Sequence, residues 1–514
     1  MFCTNDYTAS IFTNTLQRFC GLATNGISTI GTIIDESHPC FAILPNCDPP
    51  ANEVIPGLRP DFTPVRKEAA LKFVSFVVLA IVLLAFNIPQ AGAVPSFARQ
   101  TGLPCSGCHY NPPELNPAGR RFKLLGYIDR ADDTKTVKAD GNKKRAALDL
   151  LASLPLSAWL QTSFTSTKSP IPGTQNGSFE MPQDISLFLS GAWTTHVGSF
   201  LQVTYDVQDD HFTMDNTDVR YANKTKLGGK ELVFGLNVNN NPTVEDLWNT
   251  TPAWGYPFVA DNFAPTPTAA PIISSLGQDV AGFGGYTMWD NHLYADVTFY
   301  RSQHLGTEQP NAGTDFGFNV RGLAPYWRVA FQQLTGKTQY EIGTYGMHMH
   351  SSPDAITGIE DDFTDYAFDA QIDRTLFRTD VLSLRGTYIR ENSNLAAMAA
   401  LGAASPGSHH LNTVMANAEY HFGYRLSGTF GWFDTHGTVD PVLFPQEDVS
   451  GSVSGDPRSS GYIANLSYWP WQNLQLAAQY TGYTRFNGAQ NNYDGAGRNA
   501  SSNNTVYLVA RFVF

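Results

Sequence analysis

Cysteine is nearly missing from this chain. Four of its six cysteines, Cys3, Cys20, Cys40 and Cys47, precede residue 66, and everything beyond carries only Cys105 and Cys108. A disulfide-stapled framework is therefore excluded for most of the sequence. Charge is scarce as well, at 15% of residues, and the formal net charge of −13 argues against a nucleic-acid partner. No apolar run reaches the roughly 20 residues of a membrane-spanning helix. The one long apolar run, residues 73–86, interrupted only by Ser75, is preceded by Arg66, Lys67 and Lys72 and followed by Ala91-Gly92-Ala93. A basic flank, a short apolar run and small residues after it are the parts of a secretory signal over 65–93, with cleavage expected after Ala93. Residues 1–64 show no steady period and precede what reads as an amino terminus. Translation is accordingly expected to start near Val65, leaving 1–64 as a non-native extension.

Aromatic residues and glycine are plentiful. Tyr 22, Phe 33, Trp 9 and Gly 44 describe many short strands joined by turns rather than helical bundles. From Leu156 onward the apolar pattern has period 2. Leu201, Val203, Tyr205 and Val207 alternate with Gln202, Thr204 and Asp206; Leu232, Phe234, Leu236 and Val238 with Glu231, Gly235 and Asn237; Tyr366, Phe368, Ala370 and Ile372 with Ala367, Asp369, Gln371 and Asp373. The last stretch repeats this, with Val506, Leu508, Ala510, Phe512 and Phe514 against Thr505, Tyr507 and Arg511. In an exported chain, such strands read as a transmembrane β-barrel whose outer face meets lipid and whose inner face lines a polar lumen. A soluble sandwich would also alternate, but aromatic residues at strand ends, such as Trp193, Trp289, Tyr468, Trp469 and Trp471, suggest interfacial girdles.

The fold class expected is mainly β: an antiparallel outer-membrane barrel of about sixteen strands over 156–514, with residues 94–155 as a small plug. Trp469 to Asn473 and Phe422-Gly423-Tyr424 are expected as periplasmic turns. Residues 239–274, 392–408 and 437–459 are expected as outward or lumen-folded loops. Within the longest, 239–248 suggests a helical turn that narrows the pore.

The plug segment holds the chain's sharpest motif, Cys105-Ser106-Gly107-Cys108-His109. Two thiols at this spacing can add to the two vinyl groups of a haem, and the histidine that follows becomes the proximal iron ligand. The alternatives are a structural disulfide, a redox dithiol or half of a zinc site. A dithiol should open a helix after a strand, and zinc would need two more Cys or His nearby; neither context is present. Ten basic residues outnumber six acidic ones in 94–155, whereas 156–514 carries a net negative charge. Either the basic segment docks in the barrel by opposite charge or the charges are simply solvated faces.

Residues 94–102, Val94-Pro95-Ser96-Phe97-Ala98-Arg99-Gln100-Thr101-Gly102, the motif itself, and residues 113–127, beginning Pro113-Glu114-Leu115-Asn116-Pro117, resemble the opening of the fused outer-membrane monohaem cytochrome-porins, a group that includes bacterial iron(II) oxidases. The resemblance implies one covalent haem c on Cys105, Cys108 and His109. It also implies an extracellular electron donor, ferrous iron first among them, and a periplasmic cytochrome or copper protein as acceptor. In that scheme the donor meets the haem edge at the outer side. No acid, base or nucleophile is required, so an enzyme label, iron(II):cytochrome c oxidoreductase, depends on counting iron oxidation as a reaction. Two other functions remain open: a diffusion porin with a haem-bearing plug, and a haem-based sensor or peroxidase.

The distal ligand is not given by the motif. Between residues 94 and 155 the only histidine is His109 and there is no methionine. Either the barrel supplies the sixth ligand, from Met181, His196, His211, Met214, Met288, His292 or the cluster Met347-His348-Met349-His350, or the site is five-coordinate, or a water or an unusual group such as a lysine completes it. Alternation puts Met347 and Met349 on one face and His348 and His350 on the other. A copper site there is conceivable but has no other support. Asp206, Asp369 and Asp373 could guide ferrous ions through the lumen, or could keep the pore wet and pair with plug cations.

Overall fold

The computed structural model describes residues 95–128, the backbone of 134–138 and 146–151, and residues 155–207, 210–248, 263–302, 319–352 and 358–514. The expected signal, 65–93, and the extension before it lie outside the described residues. A closed antiparallel barrel of sixteen strands accounts for most of what is described. Its first half comprises β1 (Leu156–Thr167), β2 (Ser178–Ala192), β3 (Val197–Asp206), β4 (His211–Leu227), β5 (Lys230–Asn239), β6 (Val280–Trp289), β7 (Leu293–Ser302) and β8, which runs through Asn319–Arg321 and Ala324–Thr335 with a bulge between them. The second half comprises β9 (Thr338–Ser352), β10 (Asp361–Thr375), β11 (Val381–Asn394), β12 (Ser408–Phe422), β13 (Leu426–Gly437), β14 (Ser459–Trp471), β15 (Leu474–Arg485) and β16 (Thr505–Val513). The register Val506↔Ser166 to Val513↔Trp159 joins β16 to β1 and closes the ring, so no strand edge is left unpaired.

The barrel is inside-out relative to a soluble core. On β10, Phe368 is 61% exposed while its neighbour Asp369 is 4% exposed; on β5, Leu236 is 49% exposed and Asn237 is 1% exposed. Apolar side chains that point away from the molecule and polar ones that point into it suit a lipid surround and no other. Among the described residues no helix is long and apolar enough to cross a membrane, and the crossing is made by strands. The protein is an outer-membrane barrel of porin-like architecture. Phe368 lies at the centre of a fifteen-residue strand, so Phe368→Arg is expected to cost about 2–4 kcal/mol, as for a cation at the bilayer midplane. Denaturant titration of the reconstituted barrel measures this, and a change below about 1 kcal/mol would contradict the lipid-facing assignment.

One end of the barrel carries turns of two to five residues, together with both termini of the barrel region. At the β4–β5 turn, Gly228 and Gly229 have φ of +63° and +80°, the double left-handed conformation of a two-residue hairpin. The Phe422-Gly423-Tyr424 and Gln472-Asn473 links lie at this end, and so do Trp193, Trp289, Tyr468 and Trp471, an aromatic girdle. The opposite end carries the long connections, among them 240–279, 395–407, 438–458 and 486–504. Short periplasmic turns and long outward loops orient the barrel, so the short-turn end faces the periplasm.

The described start of the longest connection, residues 240–248, folds into the lumen, where a helical turn was expected. Pro242–Glu245 is a 3-10 turn capped by the Asn241 side chain, and Val244, Leu247 and Trp248 are fully buried. Two wall arginines hold it. Arg220 on β4 pairs with Asp218 at 2.8 Å and with Glu245 at 3.0 Å; Arg328 on β8 contacts Asp369 at 2.6 Å, Glu341 at 3.2 Å and Asp246 at 3.4 Å.

The amino-terminal segment lies inside the short-turn mouth. Helix α1 (Ser96–Thr101) packs on the end of β2, where Ser96 Oγ donates to the Ser190 carbonyl at 2.6 Å. Helix α2 (Pro117–Leu124) begins at Asn116, whose side chain accepts from Gly119 N–H, with Pro117 in the first turn. A separate antiparallel pair, Thr134–Lys138 with Ala146–Leu151, follows outside the barrel sheet, and the first barrel strand starts at Leu156.

Candidate functional site

The motif coils into a single 3-10 turn at Cys105–Gly107, and His109 N–H donates to the Cys105 carbonyl at 2.9 Å. Positions three apart eclipse in such a turn, so the two thiols share one face, and His109 lines the same cavity with them. Neither Cys105 nor Cys108 is in a disulfide. Helix α2 closes directly on the motif: Asn116 N–H donates to the Cys108 carbonyl at 2.9 Å, and a methyl at Gly119 would collide with that carbonyl oxygen. Gly119 is therefore required for this approach, and the sequence reading had not singled it out.

His109 is oriented from behind. Its Nδ1 lies 3.1 Å from the Glu114 carbonyl, so the tautomer protonated at Nδ1 donates there and leaves Nε2 with a free lone pair. A backbone carbonyl bonded to the far nitrogen is the usual support of a metal-ligating histidine. Burial pushes His109 down to about 4, against a smaller opposing pull from a backbone hydrogen bond. The docked segment thus binds fewer protons than the free chain between pH 4 and 6.5. His109 contributes stability in full above pH 6.5 and loses it as pH falls toward 4. In a chain lacking haem, protease resistance of the segment should decline over that window, and His109→Gln should remove this part of the decline. An identical pH profile in the variant would contradict it.

A cavity of about 450 Å³ opens in front of Cys105, Cys108 and His109. Phe97, Phe122, Trp159, Phe188 and Phe200 give it aromatic walls, with Phe97 stacked on Tyr127 at 5.6 Å and Trp159 edge-on to Phe188 at 5.5 Å. Gln161, Gln202, Asn216, Lys123 and Arg511 supply its polar lining. Arg511 sits 4.4 Å from the Trp159 ring centroid and bonds to Gln161 and Gln475. The residues fit a covalently held haem: two thiols, an imidazole with Nε2 available, aromatic walls, and the Arg511 guanidinium for an acidic side group. Cys105 Sγ is 3.4 Å from the Gln472 carbonyl in the β14–β15 turn, which fixes the motif at the periplasmic mouth rather than at the outer side. A donor expected at the outer side would have to reach the motif through the lumen.

None of the barrel methionines and histidines considered as sixth ligand lines this cavity. Met181 and Met214 are exposed on the outer wall. Met288 packs with Leu124 and Trp248, and Met347 and Met349 belong to a buried cluster with Tyr300 and Tyr326. His348 and His350 point outward, with their Nε2 atoms 3.2 Å apart. His196 and His292 sit in short turns, and His211 is exposed at the start of β4. Lys123 does line the cavity, but its ammonium is taken by the Val244 and Asp246 carbonyls, and burial lowers it to about 8.

Charge does tie the segment to the barrel. Arg120 bonds Asp373 at 3.0 Å and Gln339 at 2.8 Å, both buried, and Arg121 pairs with Glu231 at 2.9 Å. Asp369 and Asp373 are thus held by arginines rather than open to passing ions; Asp206 lies at the end of β3. Opposite polarity occurs too, with Glu114 of the segment against Arg385 of β11.

No protein-family model matches the chain, and no curated protein matches it. Solved structures similar to it include a loop-deleted OmpT, an outer membrane protein of Vibrio cholerae (10% identity, 70% of this chain and 98% of that one, TM-score 0.39). Others are an anion-selective porin from Comamonas acidovorans (12%, 70% and 99%, TM-score 0.41) and the outer membrane channel DcaP of Acinetobacter baumannii (12%, 70% and 96%, TM-score 0.40).

Proposed function

We propose that this chain is a fused cytochrome-porin that moves electrons from an extracellular donor, ferrous iron before others, to a periplasmic cytochrome or copper protein. The observation that carries the reading is the convergence of Cys105, Cys108 and His109 on one aromatic cavity at the periplasmic mouth of a membrane-spanning barrel. Haem c in that cavity would supply reversible one-electron exchange. The two cysteines would anchor it, His109 would ligate its iron through Nε2, and Glu114 would hold the imidazole in the required tautomer. Phe97, Phe122, Phe188 and Phe200 keep water from the buried side, which is how a protein tunes such a potential. The periplasmic position of the motif favours delivery to a soluble carrier on that side.

Protein purified from outer membranes and extracted with acidic solvent, which removes non-covalent haem, should retain one haem per chain. Its absence from protein exported by a host competent in cytochrome c maturation would sink the reading. Liposome swelling separates the porin alternative: a lumen filled by α2 and the 242–248 turn should pass small solutes far more slowly than an open porin.

A further inference from the structure

We infer that a divalent first-row transition-metal ion binds between the haem-motif segment and β12, held by Glu114, Glu419 and His421. The three offer ligand atoms within 4.8 Å of one another, and all three residues are buried. His421 is 2% exposed, and neither of its ring nitrogens has a hydrogen-bond partner. Leaving both imidazole nitrogens without a bond in a buried place is costly, so the observation asks for an occupant.

The spacing says which kind. An imidazole gives one nitrogen to an ion, and His421 Nε2 lies 3.4 Å from a Glu114 oxygen; Glu419 completes a set whose ligand atoms all lie within 4.8 Å of one another. Metal bonds of about 2.0–2.2 Å in a tetrahedral site place neighbouring donors about 3.3–3.5 Å apart. The Glu114–His421 approach, made without a hydrogen bond between the two, matches one edge of such a site. Two carboxylates and one imidazole suit Fe²⁺, Mn²⁺ or Zn²⁺ better than the oxygen-only ions Ca²⁺ and Mg²⁺.

Charge agrees. Arg385 approaches both Glu114 and Glu419, and one guanidinium against two carboxylates leaves one negative charge over. A ligand shell beyond the three is already organised: Asn111 Nδ2 donates to Glu419 at 3.3 Å, and Tyr110 stacks on the His421 ring at 5.3 Å. Each of these partners comes from the haem-motif segment. Glu114 makes the link direct, because its backbone carbonyl accepts from His109 while its carboxylate enters the metal site. The inference rests on the haem reading for the use of the ion, not for its presence.

The test takes full-length protein in detergent, stripped with a chelator and dialysed against Zn²⁺ or Mn²⁺. One ion per chain is expected by elemental analysis, and bound Mn²⁺ should show coupling to a single imidazole nitrogen in pulsed EPR. Glu419→Gln and His421→Ala should each weaken binding at least tenfold, while His348→Ala/His350→Ala on the outer wall should leave it unchanged. Absence of binding to the wild-type chain overturns the site whatever the variants do. Binding insensitive to both substitutions also overturns it. The same titration on Cys105→Ser/Cys108→Ser separates the two readings: an ion bound there upholds the metal site even if no haem is ever found.

Discussion

Cys105→Ser/Cys108→Ser should abolish covalent haem while leaving an assembled barrel in the outer membrane. The motif is a three-residue turn at the mouth, joined to the wall by hydrogen bonds that do not depend on the thiols, such as Ser96 to Ser190 and Arg120 to Asp373. The barrel is closed by the β16–β1 register, to which the segment contributes no strand. Haem staining of denaturing gels should therefore fall to background, and heat-modifiable mobility of the barrel should persist. His109→Ala should behave differently, because the thioethers can form without the imidazole: haem remains attached with an altered spectrum and loses electron transfer. Loss of the folded barrel in these variants would show that the segment is structural.

The second large effect lies in the lumen. Arg328 is fully buried and faces Asp246, Glu341 and Asp369, with the Trp248 and Tyr345 rings 5.3 and 5.2 Å from its guanidinium carbon. Arg328→Met would leave three carboxylates facing one another with no cation among them. Breaking a buried ion pair from one side costs about 3–5 kcal/mol, and this site loses the partner of several charges at once. The 242–248 turn should detach from the wall, detected as a lower denaturation midpoint and faster solute flux in liposomes. Adding Asp369→Asn should restore part of the loss, because the two positions share one network. A change below about 1 kcal/mol would mean that the network is not what holds the turn.

Much of this was legible in the chain. A barrel writes itself in period 2, since each strand meets lipid on one side and water or buried polar groups on the other; Phe368 beside Asp369 is that rule at one position. The Cys105–His109 motif stands out because the chemistry proposed for it is compressed into five residues. Even the inward turn could be anticipated from Asn241-Pro242, a cap and a first-turn proline.

What stayed hidden was whatever depends on positions far apart in sequence. Glu114 meets Arg385 and His421 across some three hundred residues, and no local pattern announces it. The sixth-ligand candidates were chosen by residue type, and the pleat then sent Met181 and Met214 outward and Met347 and Met349 into a tyrosine-lined cluster away from the cavity. The Asn116 cap and Pro117 start a helix whose importance only the structure shows: Gly119 lets it close on the motif.

The most direct test of the electron path is an absorbance measurement on intact outer-membrane fractions under anaerobic conditions. On adding ferrous iron, the haem bands should shift from the oxidised to the reduced form, and a subsequently added oxidised periplasmic cytochrome or copper protein should return them. Haem that is present yet unchanged by ferrous iron would contradict the account and leave the barrel as a porin with a haem-bearing plug.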